Sequence, residues 1–104
     1  MPDIAPVKMK IVVKSFLTLR QVMNNQSRIE LQVGNITIRE LLELLCDTFG
    51  EGLRRHVFDS KTNEISQFLK VLVNGHHYST LPGKLQTMLQ HNDEISLFPP
   101  LAGG

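Results

Sequence analysis

The stretch Thr37-Ile38-Arg39-Glu40-Leu41-Leu42-Glu43-Leu44-Leu45-Cys46-Asp47-Thr48-Phe49-Gly50 decides the fold, because it carries a helical period between segments that alternate. Thr37 and Glu40 stand at capping-box spacing, where a Thr hydroxyl takes an orphan amide and a Glu carboxylate reaches back. Ile38, Leu41, Leu42, Leu45 and Phe49 recur at intervals of three and four, one stripe of a helix. Gly50 falls where a left-handed residue stops such a helix. Upstream, Met9, Ile11 and Val13 alternate with Lys10, Val12 and Lys14, predicting a first strand that starts at Lys8 and reads on toward Leu19. Asn24-Asn25-Gln26-Ser27 is turn chemistry, and Ile29, Leu31 and Val33 then alternate with Arg28, Glu30 and Gln32. The chain is therefore expected to open with a hairpin.

Downstream the pattern weakens before it returns. Glu51 to Gln67 mixes Gly52, Arg54, Arg55 and His56 with Asp59-Ser60-Lys61-Thr62-Asn63, and reads as a loop with room for a short strand near Ile65. Leu69, Val71 and Val73 alternate again, closed by Asn74-Gly75, a strong two-residue hairpin signal. After His76-His77-Tyr78 and a turn at Pro82-Gly83, Leu85 and Leu89 are expected to cover the core. Asn92-Asp93 then turns the chain into a last strand through Ile95 and Leu97. Strands, one capped helix and more strands predict an α+β domain, a mixed sheet with one main helix on one face. Residues 1–6 read as a flexible lead-in, 7–98 as the domain and 99–104 as an extended tail.

Composition removes several classes of function. At 104 residues the chain holds one domain, and 41% apolar with 20% charged residues is ordinary for a globular protein. Eleven Lys and Arg against ten Asp and Glu leave a net charge of +1, which argues against a nucleic-acid or anionic-membrane binder. Cys46 alone makes neither a disulfide nor a Cys-x-x-Cys metal or redox pair, so a reducing compartment fits. No apolar run spans a bilayer, and Met1 to Pro6 lacks the charged-then-apolar pattern of a signal peptide. A cytoplasmic protein is expected.

Candidate reactive groups inside the domain give little. Four histidines, His56, His76, His77 and His91, invite a metal reading, but His76 and His77 are adjacent in a strand and point to opposite faces, with no carboxylate or Cys at ligand spacing beside them, so no metal is expected. Cys46 has no partner to activate it and reads as a core-boundary residue. Gly83-Lys84 is followed by Leu85 and not by Ser or Thr, which excludes a phosphate loop. Arg54-Arg55-His56 is a short basic run of the kind that usually forms a solvated face.

The last strand leads straight into Pro99-Pro100-Leu101-Ala102-Gly103-Gly104. Two prolines fix φ and favour an extended chain that projects outward. Residues after them shrink to two glycines, which can thread a narrow channel and carry a carboxylate to reactive groups elsewhere.

Leu81-Pro82-Gly83-Lys84-Leu85-Gln86-Thr87, the apolar strand after Asp93-Glu94, and the ending Phe98-Pro99-Pro100-Leu101-Ala102-Gly103-Gly104 resemble the MoaD/ThiS sulfur-carrier family, above all its MoaD branch, the molybdopterin synthase small subunit. Val71-Leu72-Val73-Asn74-Gly75 and the order of elements extend the resemblance over nearly the whole chain. His91-Asn92-Asp93 departs from the family's Asp-Gly-Asp-like turn, with Asn supplying the left-handed residue. The resemblance implies a ubiquitin-like β-grasp with first and last strands side by side. It further implies a partner chemistry: an adenylating enzyme related to ubiquitin-activating enzymes spends ATP on the Gly104 carboxylate, and a sulfur donor such as a cysteine desulfurase or rhodanese leaves a thiocarboxylate. The large subunit of molybdopterin synthase then receives the tail and passes sulfur to cyclic pyranopterin monophosphate. On this reading the chain is not an enzyme on its own and binds no cofactor. Gly104 bears the reacting atom, Gly103, Ala102 and Leu101 allow passage, and Pro99 and Pro100 hold the tether.

In such a fold Phe98, Val12 and Phe16 share the parity opposite to Ile95 and Leu97, so they are expected to form an exposed apolar patch beside the tail root that binds partners. Two other functions stay open. One is a ubiquitin-like modifier or a carrier for transfer-RNA thiolation, and the other is an interaction domain with an inert tail.

Overall fold

The computed structural model describes residues 8–99, so the lead-in at residues 1–6 and the tail from Pro100 to Gly104 lie outside the described residues. In chain order the elements are β1 (Met9–Ser15), α1 (Thr18–Val22), β2 (Arg28–Val33), α2 (Ile38–Phe49), α3 (Glu51–Val57), β3 (Lys70–Val73), β4 (His76–His77) and β5 (Glu94–Phe98), with 3-10 turns at Tyr78–Thr80 and Lys84–Gln86. The five strands form one mixed sheet in the order β2-β1-β5-β3-β4. β1 and β5 run parallel, Val13 beside Ile95 and Ser15 beside Leu97, while β2 pairs antiparallel with β1 and β3 with β5. First and last strands are thus central neighbours.

α2 forms where its sequence pattern says it should. Glu40 N donates to Thr37 Oγ1 at 3.1 Å and Thr37 N donates to Glu40 Oε1 at 2.8 Å, closing the capping box. Such a cap is worth about 1 kcal/mol. The helix buries Ile38, Leu41, Leu42, Leu45 and Cys46 against Ile11, Val13, Val71, Ile95 and Leu97 of the sheet's inner face, and Gly50 ends it at a φ of 93°. Full burial of each such side chain contributes about 1.5–3 kcal/mol.

Three expectations need correction. The first strand stops at Ser15 and does not reach Leu19: Leu17 takes a φ of 58° and α1 follows, burying Leu19 and Met23. β1 and β2 still pair antiparallel as the expected opening hairpin, with a helical turn closed by left-handed Asn24 and Asn25 as their link. Glu51 to Val57 is helix, not loop. Its amides Leu53 N and Arg54 N bond Gly50 O, and its buried Leu53 and Val57 lie four residues apart, too short a stripe to show a period. Gly52 in α3 faces Val22 of α1, so the two short helices pack together. Near Ile65 there is one isolated bridge, to Phe58, in place of a strand.

The later turns follow their residues. Asn74 and Gly75 at φ values of 51° and 88° make the hairpin turn between β3 and β4. Asn92, at 72°, supplies the left-handed position before β5. Gly83 allows a close approach: a Cβ there would stand 2.9 Å from Thr87 Oγ1.

Candidate functional site: the end of the sheet where the last strand leaves

β5 is gripped before it leaves the sheet. Ile95 and Leu97 are fully buried on the helix side, and β1 and β3 hold the strand on both edges. Phe16 N donates to Leu97 O at 3.2 Å, which extends the β1 pairing past Ser15, and Lys70 pairs with Phe98 across the other edge. Pro99 is buried, so the tail root is fixed by packing up to that residue. Gly104, Gly103, Ala102, Leu101 and Pro100 lie outside the described residues.

On the outer face, the parity expected for Phe98 and Phe16 brings the two rings together. Their centroids are 4.3 Å apart and their planes differ by 1°, and both side chains are half-buried. Val12 shares that face but departs from the expected exposure, at 7%. The reason is local: Glu30 and Glu94 flank it across the two ladders, and Glu94 Oε2 pairs with Lys14 Nζ, two residues along the same face, at 2.7 Å. The patch beside the tail root is accordingly the Phe16–Phe98 stack, with Val12 beneath a polar cover.

Two residues that the alternation did not single out lie at the same end. Leu17 is 57% exposed just past β1, and Phe68 is 64% exposed just ahead of β3. Leu17 has φ 58° and ψ −129°, and Leu19 N donates back to Phe16 O at 3.2 Å. Those angles are close to the first central position of a type II′ turn, which glycine normally takes. A branched aliphatic residue held there costs on the order of 1–3 kcal/mol. Sequence reading missed Leu17 because the strand pattern ran through it, and Phe68, on the parity opposite to Leu69, Val71 and Val73, because it stands ahead of the alternating run.

The remaining titratable groups have structural places. Burial pushes the Cys46 thiol up to about 11, with nearby Arg54 opposing the shift, so at neutral pH it stays protonated and unreactive. Arg54 of the basic run bonds Asp47 at 3.0 Å and Glu43 at 3.3 Å, tying α3 to α2. His91 Nδ1 accepts from Lys10 N at 3.0 Å, and His77 Nδ1 accepts from Ser79 N at 3.2 Å. Among the described residues no three His, Cys, Asp or Glu gather to hold a metal ion, and no helix is long and apolar enough to cross a membrane.

Among the described residues this end of the sheet brings together no nucleophile and base; it offers an apolar surface and a strand that exits between two paired neighbours. Known proteins share the fold. The ThiS family matches residues 13–104. A proposed sulfur carrier protein from Archaeoglobus fulgidus is 31% identical over 77% of this chain and 88% of its own length. Small archaeal modifier protein 3 of Haloferax volcanii is 29% identical over 92% of this chain and all of its own. Among solved structures, small archaeal modifier protein 1 of Haloferax volcanii superposes with a TM-score of 0.73 at 26% identity, covering 89% of this chain and 99% of that one. With its ubiquitin-like β-grasp and these relatives, the chain belongs to the ThiS family, small proteins that include sulfur carriers and archaeal modifiers.

Proposed function

We propose that the protein is a sulfur carrier for molybdopterin synthesis, the small subunit of a synthase whose large subunit supplies the catalytic groups. The observation that carries this reading is the exit of β5, locked between β1 and β3 and running into Pro99-Pro100-Leu101-Ala102-Gly103-Gly104. A carboxylate is a poor electrophile. An adenylating enzyme would let the Gly104 carboxylate attack the α-phosphate of ATP with loss of pyrophosphate, and a sulfur donor would displace AMP to leave the thiocarboxylate. Tethering then holds the nucleophilic sulfur at high effective concentration in the acceptor's site, where free sulfide would diffuse away. Cyclic pyranopterin monophosphate is the acceptor on this reading. ATP and catalytic side chains belong to the partners.

A second reading has a specific observation behind it. The likeness to two archaeal modifier proteins favours a protein in which activated Gly104 is joined to a lysine of another protein or feeds transfer-RNA thiolation. Both readings share the activation step and separate after it.

The test is intact-protein mass spectrometry after incubation with ATP, an adenylating enzyme and a sulfur donor, on the full chain and on one lacking Gly103-Gly104. A sulfur-for-oxygen mass change in the full chain alone is expected. Adding the pterin precursor and a large subunit should then return the carboxylate. If an enzyme competent on another carrier leaves the full chain unchanged, the carrier reading is wrong. Recovery of the chain in isopeptide-linked conjugates, with no sulfur passed to the pterin, selects the second reading.

A further inference from the structure

We infer that Leu17 and Phe68 are the anchors by which the activating enzyme grips this carrier on either side of its tail. The inference rests on the proposed carrier chemistry and goes beyond the Phe16–Phe98 stack. Single exposed apolar residues are common on any protein, so exposure alone carries nothing. Position and backbone strain carry the argument.

Leu17 and Phe68 are the most exposed large apolar side chains among the described residues, and they lie far apart in sequence. The sheet order β1-β5-β3 brings them to one end. Because β1 is parallel to β5 and Phe16 N reaches Leu97 O, Leu17 comes just past the strand on one side of the exit. Because β3 is antiparallel and Lys70 pairs with Phe98, Phe68 comes just ahead of the strand on the other side.

Neither residue is placed there by the needs of the core. Leu17 occupies a backbone position that suits glycine, and its side chain stands in water, so the fold is burdened twice by that leucine. At Phe68, Phe68 N donates to Ser66 Oγ and Leu69 N to Ser66 O, a turn that buries Leu69 and leaves the phenylalanine outside. Nothing among the described residues repays either placement.

Tail length says where. Pro100 to Gly104 are five residues, with a reach of no more than about 18 Å when fully extended. A partner that takes Gly104 into a buried active site has to set its surface against the end of the sheet that holds Leu17 and Phe68. Activation precedes every fate of the tail, so the activating enzyme is the occupant, and its matching surface is an apolar rim around the channel that admits Gly103 and Gly104.

The test measures ATP-dependent thiocarboxylate formation against carrier concentration for the intact chain, Leu17→Gly, Phe68→Ser and a control, Leu44→Ser, together with thermal unfolding of each. Leu44 is a partly exposed apolar residue on α2. KM should rise tenfold or more for Leu17→Gly and for Phe68→Ser with kcat unchanged, and stay constant for the control. Leu17→Gly should also unfold a few degrees higher as its strain is released. Equal KM for the intact chain, Leu17→Gly and Phe68→Ser overturns the inference and leaves the carrier reading standing. So does a lower unfolding midpoint for Leu17→Gly, since the leucine would then serve the fold, or an equal rise for the control. No thiocarboxylate from the intact chain, with an enzyme active on another carrier, overturns the carrier reading and this inference with it.

Discussion

The two ends of the central strands are built on opposite principles. Where β5 enters the sheet, polar groups answer one another: Asp93 accepts from Gln90 N at 2.7 Å and from Asn74 Nδ2 at 2.9 Å, Asn74 Oδ1 accepts from Glu94 N at 2.9 Å, and Asn92 N reaches Lys10 O at 2.7 Å. Where β5 leaves, stacked rings, a strained leucine and an exposed phenylalanine take their place. One end is closed by the chain itself and the other is left for something else to close. The entry end should therefore govern stability and the exit end partner affinity.

The sharpest way to break this contrast is Phe98→Ala. Removing one ring of the stack should reduce the efficiency of activation about thirtyfold or more, the range of an interface anchor, while the half-buried position keeps the stability loss to about 1 kcal/mol. Steady-state activation kinetics beside chemical denaturation reads both. If stability falls and activation does not, the exit end belongs to the fold.

Asp93→Ala is the mirror experiment. It removes the acceptor for the Gln90 amide and for Asn74 Nδ2 at the entry end, both open to water, and should cost about 1 kcal/mol in denaturant unfolding with activation unchanged well below the midpoint. A fall in activation efficiency at full folding would show that the two ends are not separable.

Between them lies the core, and Cys46 reports on it through pH. Its thiol titrates near 9.0 when unfolded and is pushed up to about 11 by burial, so the folded state holds its proton longer. That contribution is complete below pH 9 and is lost as pH rises toward 11, at most about 3 kcal/mol. Denaturation of Cys46→Ala should show a flatter pH profile over that window. An unchanged slope would mean that the thiol is wetter than its packing indicates.

Much of this was legible in residues alone. α2 announces itself through Thr37, Glu40 and a sustained stripe, and the Asn74-Gly75 and Asn92 turns through left-handed residues. Parity found Phe16 and Phe98 as well. It failed for α1 and α3, because five and seven residues contribute only one or two buried side chains each and no period emerges. Val12 was misjudged since its cover comes from Lys14 and Glu94, a pairing set by strand register. Leu17 escaped notice because a turn decides where it stands, and Phe68 because it precedes the run whose alternation places it outward.

The placement of β5 between β1 and β3 also has a mechanical side. A pull on the tail along the strand axis loads both flanking ladders in shear, so their hydrogen bonds resist together, where a peripheral strand would peel away bond by bond. On the proposed function, a partner that takes up the tail would load the sheet in this resistant direction, and the domain would keep its shape from one round to the next.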